Sequence, residues 1–303
     1  MARIPAWGYK ALIVVATIIW GFSFVVMKDA VEVLPPAWLL GIRFTLAGVL
    51  LLVVLARRVK RHFSCRALAY GAILGVFDFL AFWLQTLGLQ HTTPGINAFL
   101  TATYCVIVPF AWWVVARKRP TIFNVGAAVL AIAGIWLVSV SGSGETFSVG
   151  LGEGLTLGCA VVFAVHIVLV SKFSQTCDAL VLTVFQFVAE GLLGLATGAA
   201  TEAFPGMGAF TPSVIGQILF LAVFASVVAF GIQNVSLAHV PPAQASLLLS
   251  LESVFGVLFS ILLYGEQMTL RLVVGFVLIF AAIVISETLP LKERPCRRKT
   301  TSS

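Results

Sequence analysis

A handful of residues capable of chemistry sit deep inside apolar runs: Arg43, Asp78, His166, Glu190 and Glu252. Asp78 is followed by Phe82 and Gln85 at i+4 and i+7, which puts the three on one helix face. Asn97, Thr101 and Tyr104 make a second stripe of the same kind. Both stripes return later in the chain. The stretch Gln85 to Leu100 recurs as Gln233 to Leu248, a shift of 233 − 85 = 148 residues, which sets Ser226, Phe230 and Gln233 against the first stripe and Ala245, Leu249 and Glu252 against the second. Each half thus contributes one deep carboxylate to what reads as a shared polar cavity. Burial disfavours an ionised carboxylate and a bound cation restores it, so a proton and an amine compete for such a group. Asp78 and Glu252 are therefore the candidates for coupling. The alternative is an interhelical polar pair that only holds a bundle together.

The earlier parts of the halves are related by a shift of 163 − 20 = 143, which sets Trp20-Gly21 against Phe163-Ala164 and Arg43-Phe44 against Gln186-Phe187. Trp20 lies mid-span, away from the interfacial belt where tryptophan collects. With Phe163 it could stack on a flat or apolar substrate, the alternative being packing against lipid. His166 reads more simply as a satisfied buried histidine than as a proton relay. Glu190, two helices into its half, is expected near the bundle edge. Arg43, about two turns from its helix end, could pair inside or snorkel to the headgroups. The sequence has no phosphate-binding glycine loop, nucleophile elbow or HExxH, so no catalytic residue, cofactor or metal is expected. The five cysteines have no zinc-like spacing and read as small apolar residues.

Composition says which elements must carry these residues. Sixty per cent of the chain is apolar, ten per cent is charged, and the mean hydropathy is +1.07. A soluble domain has about one-quarter charged residues. Crossing the hydrocarbon takes roughly 20 apolar residues, and the runs at 9–30, 36–56, 67–90, 94–116, 121–141, 151–172, 180–202, 212–237, 241–264 and 269–288 meet that length. The fold class is therefore an all-α integral membrane protein with about ten spans. Pro35-Pro36, Thr93-Pro94-Gly95, Ser141 to Gly144, Pro205-Gly206 and Pro241-Pro242 mark joints between them. Pro109 falls inside the fourth span and predicts a kink there. Small residues at Gly71 and Gly75, Gly150, Gly154 and Gly158, and Gly194 and Gly198 predict close helix contacts within one bundle.

Five spans is an odd number, so the second half must cross in the opposite sense to the first. The expected domains are residues 1–145 and 146–291, two inverted five-helix repeats around a central cavity, followed by a basic tail at 292–303. Inverted repeats are a transporter architecture, with the substrate site near the midplane where the halves meet. Of nineteen Lys and Arg, all but Lys28, Arg43 and Arg271 fall on one side of the predicted topology. The positive-inside rule makes that side cytoplasmic, with both termini there.

These residues resemble the drug/metabolite transporter superfamily, in its EamA-like ten-helix branch. The resemblance runs through Ile19 to Phe24, Arg43 to Ala47, Gln85 to Leu89, and Leu251 to Phe255 continuing to Tyr264-Gly265-Glu266. It implies a ten-helix basket whose cavity is lined by spans one, three, four, six, eight and nine. The chain departs from the family in having Ser253 where proline is common, which removes an expected kink, and Arg117-Lys118-Arg119 where Gly-Glu often ends the fourth span. Similar proteins handle amino acids, nucleotide sugars, sugar phosphates, amines and drugs, so the resemblance names no substrate; the expected function is a secondary transporter of the cytoplasmic membrane that exports small amphipathic metabolites, such as amino acids or related compounds. No nucleotide-binding domain is present to supply ATP hydrolysis, so gradients must drive it, with a proton as the coupling ion. The expected partners are a small-molecule substrate and the lipid bilayer, not nucleic acid, and the chain is expected to act as a monomer or homodimer. An uptake permease of the same fold is one rival. A lipid-handling or scaffold protein is another.

Overall fold

The computed structural model describes residues 5–117, 119–139, 150–237 and 248–292. The Ser141 to Gly144 turn, Pro241-Pro242, Ala245, Cys296 and the basic tail from 293 lie outside the described residues. In hydrocarbon every backbone N–H and C=O must be satisfied within the segment, so apolar runs fold as helices. In chain order these are α1 (Ala6–Val33), α2 (Pro36–Val54), α3 (Ala56–His62), α4 (Cys65–Gln90), α5 (Pro94–Ala102), α6 (Tyr104–Ala116), α7 (Ile122–Ser139), α8 (Leu151–Phe173), α9 (Ala179–Thr201), α10 (Pro212–Leu219), a π-helical turn (Phe220–Val228), α11 (Ala229–Leu237), α12 (Leu251–Tyr264) and α13 (Leu270–Lys292). Among the described residues, eight helical stretches are long and apolar enough to cross a membrane, and two shorter apolar helices, Ile122–Val138 and Leu251–Tyr264, accompany them. The chain is a multi-pass, all-helical membrane protein.

Prolines open helices as their missing N–H allows. Pro36, Pro94 and Pro212 each begin one, and the Thr93 and Thr211 hydroxyls cap the last two. Pro109 does not break its own helix; the interruption in that span lies earlier, at Thr103 between α5 and α6. A matching interruption at Ser250 precedes α12, although no proline stands at 253. At the two breaks the hydroxyls of Thr103 and Ser253 donate back to the carbonyls of Leu100 and Ser250, at 2.6 and 2.8 Å. Side-chain bonds of this kind bend a helix without proline.

The helices pack in pairs that respect exchange of the halves. α2 packs on α9 and α7 on α13. α4 against α8 matches α1 against α11, α4 against α9 matches α2 against the π turn, and α6 against α8 matches α1 against α12. Glycine allows the closest approach: a Cβ on Gly41 would stand 2.5 Å from the Leu195 nitrogen, and one on Gly194 would stand 2.5 Å from the Gly41 Cα. Gly71 and Gly75 seat α4 on α9 in the same way.

One end of the bundle is tied across the halves by carboxylates. Glu202 accepts from the Ala37 and Trp38 amides at the start of α2, at 3.0 to 3.2 Å. Gly265, with φ of 70°, closes α12 and turns Glu266 back over α5, where it accepts from Thr93, Ser260 and the Gly95 amide. Both carboxylates sit where a helix N-terminus presents free N–H groups and positive dipole.

Candidate functional site

A cavity of about 520 Å³ lies where the halves meet, and Trp20, Asp78, Phe82, Gln85, Thr101, Tyr104, Phe163, His166, Phe230, Gln233 and Glu252 all line it. Its wall also includes Ser171 and Ala179, exposed residues at the turn from α8 to α9, so the cavity extends toward the end of the bundle opposite Glu202 and Glu266. Two spacings explain the convergence. Helical periodicity aims each stripe inward, and the small residues of α2, α4 and α9 bring those helices close enough for the stripes to meet.

Residues equated by the shifts of 143 and 148 make equivalent contacts. The Trp20 ring meets Phe230 edge-on at 5.4 Å between centroids, and Phe163 meets Phe82 edge-on at 5.1 Å. Phe44 packs on Phe82 at 5.1 Å as Phe187 packs on Phe230 at 5.3 Å, and Phe44 and Phe187 meet each other at 5.4 Å. The polar contacts follow the same rule. Arg43 Nε donates to Ser226 Oγ at 3.1 Å, and its counterpart Gln186 donates through Nε2 to Asp78 Oδ2 at 2.6 Å. Ser226 in turn donates to the Leu221 carbonyl at 3.0 Å, a bond five residues back that belongs to the π turn. π turns of this kind occur often at functional sites.

This geometry has a counterpart in known proteins. A model of the EamA-like transporter family matches residues 7–140 and again residues 150–288. The chain belongs to the EamA-like transporter family. It is 29% identical to an uncharacterized transporter of Archaeoglobus fulgidus across 88% of this chain and 82% of that one. It is 26% identical to the uncharacterized transporter YvbV of Bacillus subtilis across 95% and 94%. An S-adenosylmethionine/S-adenosylhomocysteine transporter of Chlamydia trachomatis is 24% identical across 91% and 88%. A solved crystal structure shares the fold at a TM-score of 0.65 and 17% identity, over 93% of this chain and 97% of that one. The protein is thus a membrane transporter by family.

The EamA-like cavity does not take in every residue of the predicted stripes. Asn97 is fully buried and turned away from it, donating to Thr156 Oγ1 at 2.8 Å and to the Gln85 carbonyl at 3.2 Å. Its amide, near the start of α5, is held by partners on α4 and α8 instead of facing the cavity. Thr101 accepts from Gln85 Nε2 at 3.0 Å.

Two expectations are corrected outright. Arg43 does not reach for headgroups: it is 2% exposed, lines the cavity, and its guanidinium stands 4.6 Å from the Phe44 ring centroid and 5.0 Å from that of Phe82. Such aromatic faces stabilise a desolvated cation. Glu190 is not at the bundle edge. It is 0% exposed, because α9 packs against both α2 and α4. His166 is satisfied locally, with Nε2 3.3 Å from Gln186 Oε1 and Nδ1 3.6 Å from Asp78 Oδ1. Trp20 faces the cavity, not lipid, and its Nε1 donates to the Ala225 carbonyl at 2.8 Å. Gln186 and Arg43 complete the site, and the 143-residue shift that equates them was the sequence signal for both. Among the described residues no group of His, Cys, Asp or Glu could hold a metal ion.

Proposed function

We propose that this transporter is a gradient-driven exporter of small amphipathic metabolites, working by alternating access between two five-helix repeats of opposite sense. The observation that carries this reading is the cavity at the junction of the halves, with aromatic rings on its walls and Asp78 and Glu252 contributed from opposite halves. Aromatic faces suit flat or apolar groups, and carboxylates suit an amine or another cation. Amino acids and related compounds combine the two. The name of the Chlamydia relative, a transporter of S-adenosylmethionine, supports that class. The basic residues gathered at Arg57 to Arg61, Arg66 and Lys172 support a cytoplasmic assignment for the end toward which the cavity extends, with both termini on that side.

Proton coupling is the mechanism this cavity fits. A carboxylate that must be neutral or cation-bound when desolvated exchanges a proton for a cationic substrate, which yields antiport if the empty, unprotonated carrier reorients slowly. The test is made in proteoliposomes with a substrate identified by a thermal-shift screen of metabolites. Asp78→Asn and Glu252→Gln are expected to abolish pH-gradient-driven accumulation while leaving substrate exchange largely intact. Accumulation by both variants at the wild-type rate would overturn this assignment.

A further inference from the structure

Behind the cavity wall lies a carboxylate with no hydrogen-bond donor. Both side-chain oxygens of Glu190 are buried without a hydrogen-bond partner, and so is Oδ1 of Asp78, which has only the long 3.6 Å ion-pair contact with His166 Nδ1. The two residues are neighbours. Gln186, one turn before Glu190 on α9, donates to Asp78 Oδ2, and the Glu190 backbone nitrogen would lie 3.2 Å from a Cβ on Gly75, one turn before Asp78 on α4. The two carboxyl groups thus belong to one contact between α4 and α9. Ionised carboxylates only accept, so two facing each other leave oxygens unsatisfied until a proton supplies the donor.

The surrounding charges favour the same proton. From α2 comes Arg43, the sole charged residue of that helix, which interacts electrostatically with both carboxylates. From α4 comes Asp78, from α8 the imidazole of His166, and from α9 the neutral Gln186 beside Glu190 itself. The α3 residue Arg58 is engaged at the far end of α9, with Asp178. Arg43 is the one permanent positive charge among these groups, so with His166 neutral a second ionised carboxylate at zero exposure stands uncompensated, which is strongly unfavourable.

We propose that Asp78 and Glu190 hold one proton between them, as a carboxyl group donating to a carboxylate, and that Glu190 is the positioning residue that keeps Asp78 ready to exchange this proton with the cavity. The pair deepens the proton-coupled reading above and rests on it for its role in transport. Asp78 lines the cavity and Glu190 does not, so the proton leaves through Asp78 when a cation enters. The charge of the entering cation replaces the charge of the departing proton. Ligand release reverses the exchange.

Infrared difference spectroscopy on the purified full chain tests this without a substrate. At neutral pH the wild type is expected to show a protonated-carboxyl stretch from a dry site, and one component of it is expected to vanish in Asp78→Asn and equally in Glu190→Gln, because the new amide supplies the missing donor. Glu252→Gln is expected to leave that component in place. A wild type without a protonated-carboxyl band, or a component lost in only one of the two variants, overturns the pair. If Glu190→Gln fails to fold, Glu190→Asp keeps the carboxyl and is expected to shift the same component; an unshifted component overturns the proposal as well. A failed pair in a protein that still accumulates substrate leaves the transport reading standing. A confirmed pair in a protein that moves no metabolite does the reverse.

Discussion

The two halves build the same contact twice and charge it differently. In one copy Arg43 donates to Ser226; in the other Gln186, its counterpart, donates to Asp78, the counterpart of Ser226. The aromatic contacts around both copies are alike, from Trp20 with Phe230 to Phe163 with Phe82. The first half supplies both charged partners and the second half both neutral ones. Glu190 then adds a carboxylate where the 143-residue shift finds Ala47 (190 − 47 = 143). Geometry is shared across the repeat while charge at the equated positions is not.

The sharpest way to break this comparison is to remove its cation. Arg43→Gln leaves Asp78 and Glu190 without a counter-charge and is expected to cost about 3 to 5 kcal/mol, the range for breaking a buried pair, read as a loss of folded yield and thermal stability in detergent. Adding Asp78→Ser gives the first half the same neutral residues, Gln and Ser, that the second half carries at 186 and 226. That double variant is expected to regain most of the stability without regaining coupled transport, and a double variant no more stable than Arg43→Gln alone would break the comparison. Ser226→Ala sharpens it from the other side. It removes one acceptor from Arg43 and is expected to cost about 1 kcal/mol, the net worth of an ordinary hydrogen bond, measured as a small drop in melting temperature.

The smallest effect lies outside the membrane, in a contact between the halves that has no part in the cavity. Arg58 donates to Asp178 at 2.8 to 3.1 Å, and Asp178 caps α9 by accepting from the Leu180 and Val181 amides. Partial burial works against its ionisation, yet the Arg58 hydrogen bonds and the helix amides together hold the Asp178 carboxyl below its ordinary value. A depressed value in the folded state stabilises above the unfolded one, near 3.8, and that contribution fades as pH falls through the folded value. Arg58 is half exposed, so screening leaves the ion pair little worth, and the cap dominates. Asp178→Ala is expected to cost about 1 kcal/mol at pH 7, typical of a lost helix cap, with the difference from wild type shrinking below pH 4.

The internal repeat made much of this legible before any contact was seen. Apolar run lengths, joint prolines and two constant shifts identified the helices and equated 20 with 163, 43 with 186, and 82 with 230. What periodicity could not supply was the partner of a buried group. Whether Arg43 points to headgroups or into the bundle depends on the neighbouring helix, and the glycine contact between Gly41 and Gly194 that draws α9 inward is a tertiary fact. The same contact buries Glu190. Asn97 was misplaced because the partner that holds its amide, Thr156 on α8, is invisible to periodicity within one helix. The break at Thr103 comes from a hydroxyl bonding back to Leu100, a weaker sequence signal than the nearby Pro109.

Alternating access requires that the cavity between the halves open in turn to the two faces of the membrane. Gln233 lines it, so the most direct measurement places a cysteine there, Gln233→Cys, in a chain whose five native cysteines are replaced. An impermeant maleimide is then applied to right-side-out and to inside-out vesicles. Alternating access predicts rapid labelling from the face toward which the cavity extends and slower labelling from the other, with a substrate found by thermal shift changing the two rates in opposite directions. Labelling from one face only, unaltered by substrate during turnover, would contradict it.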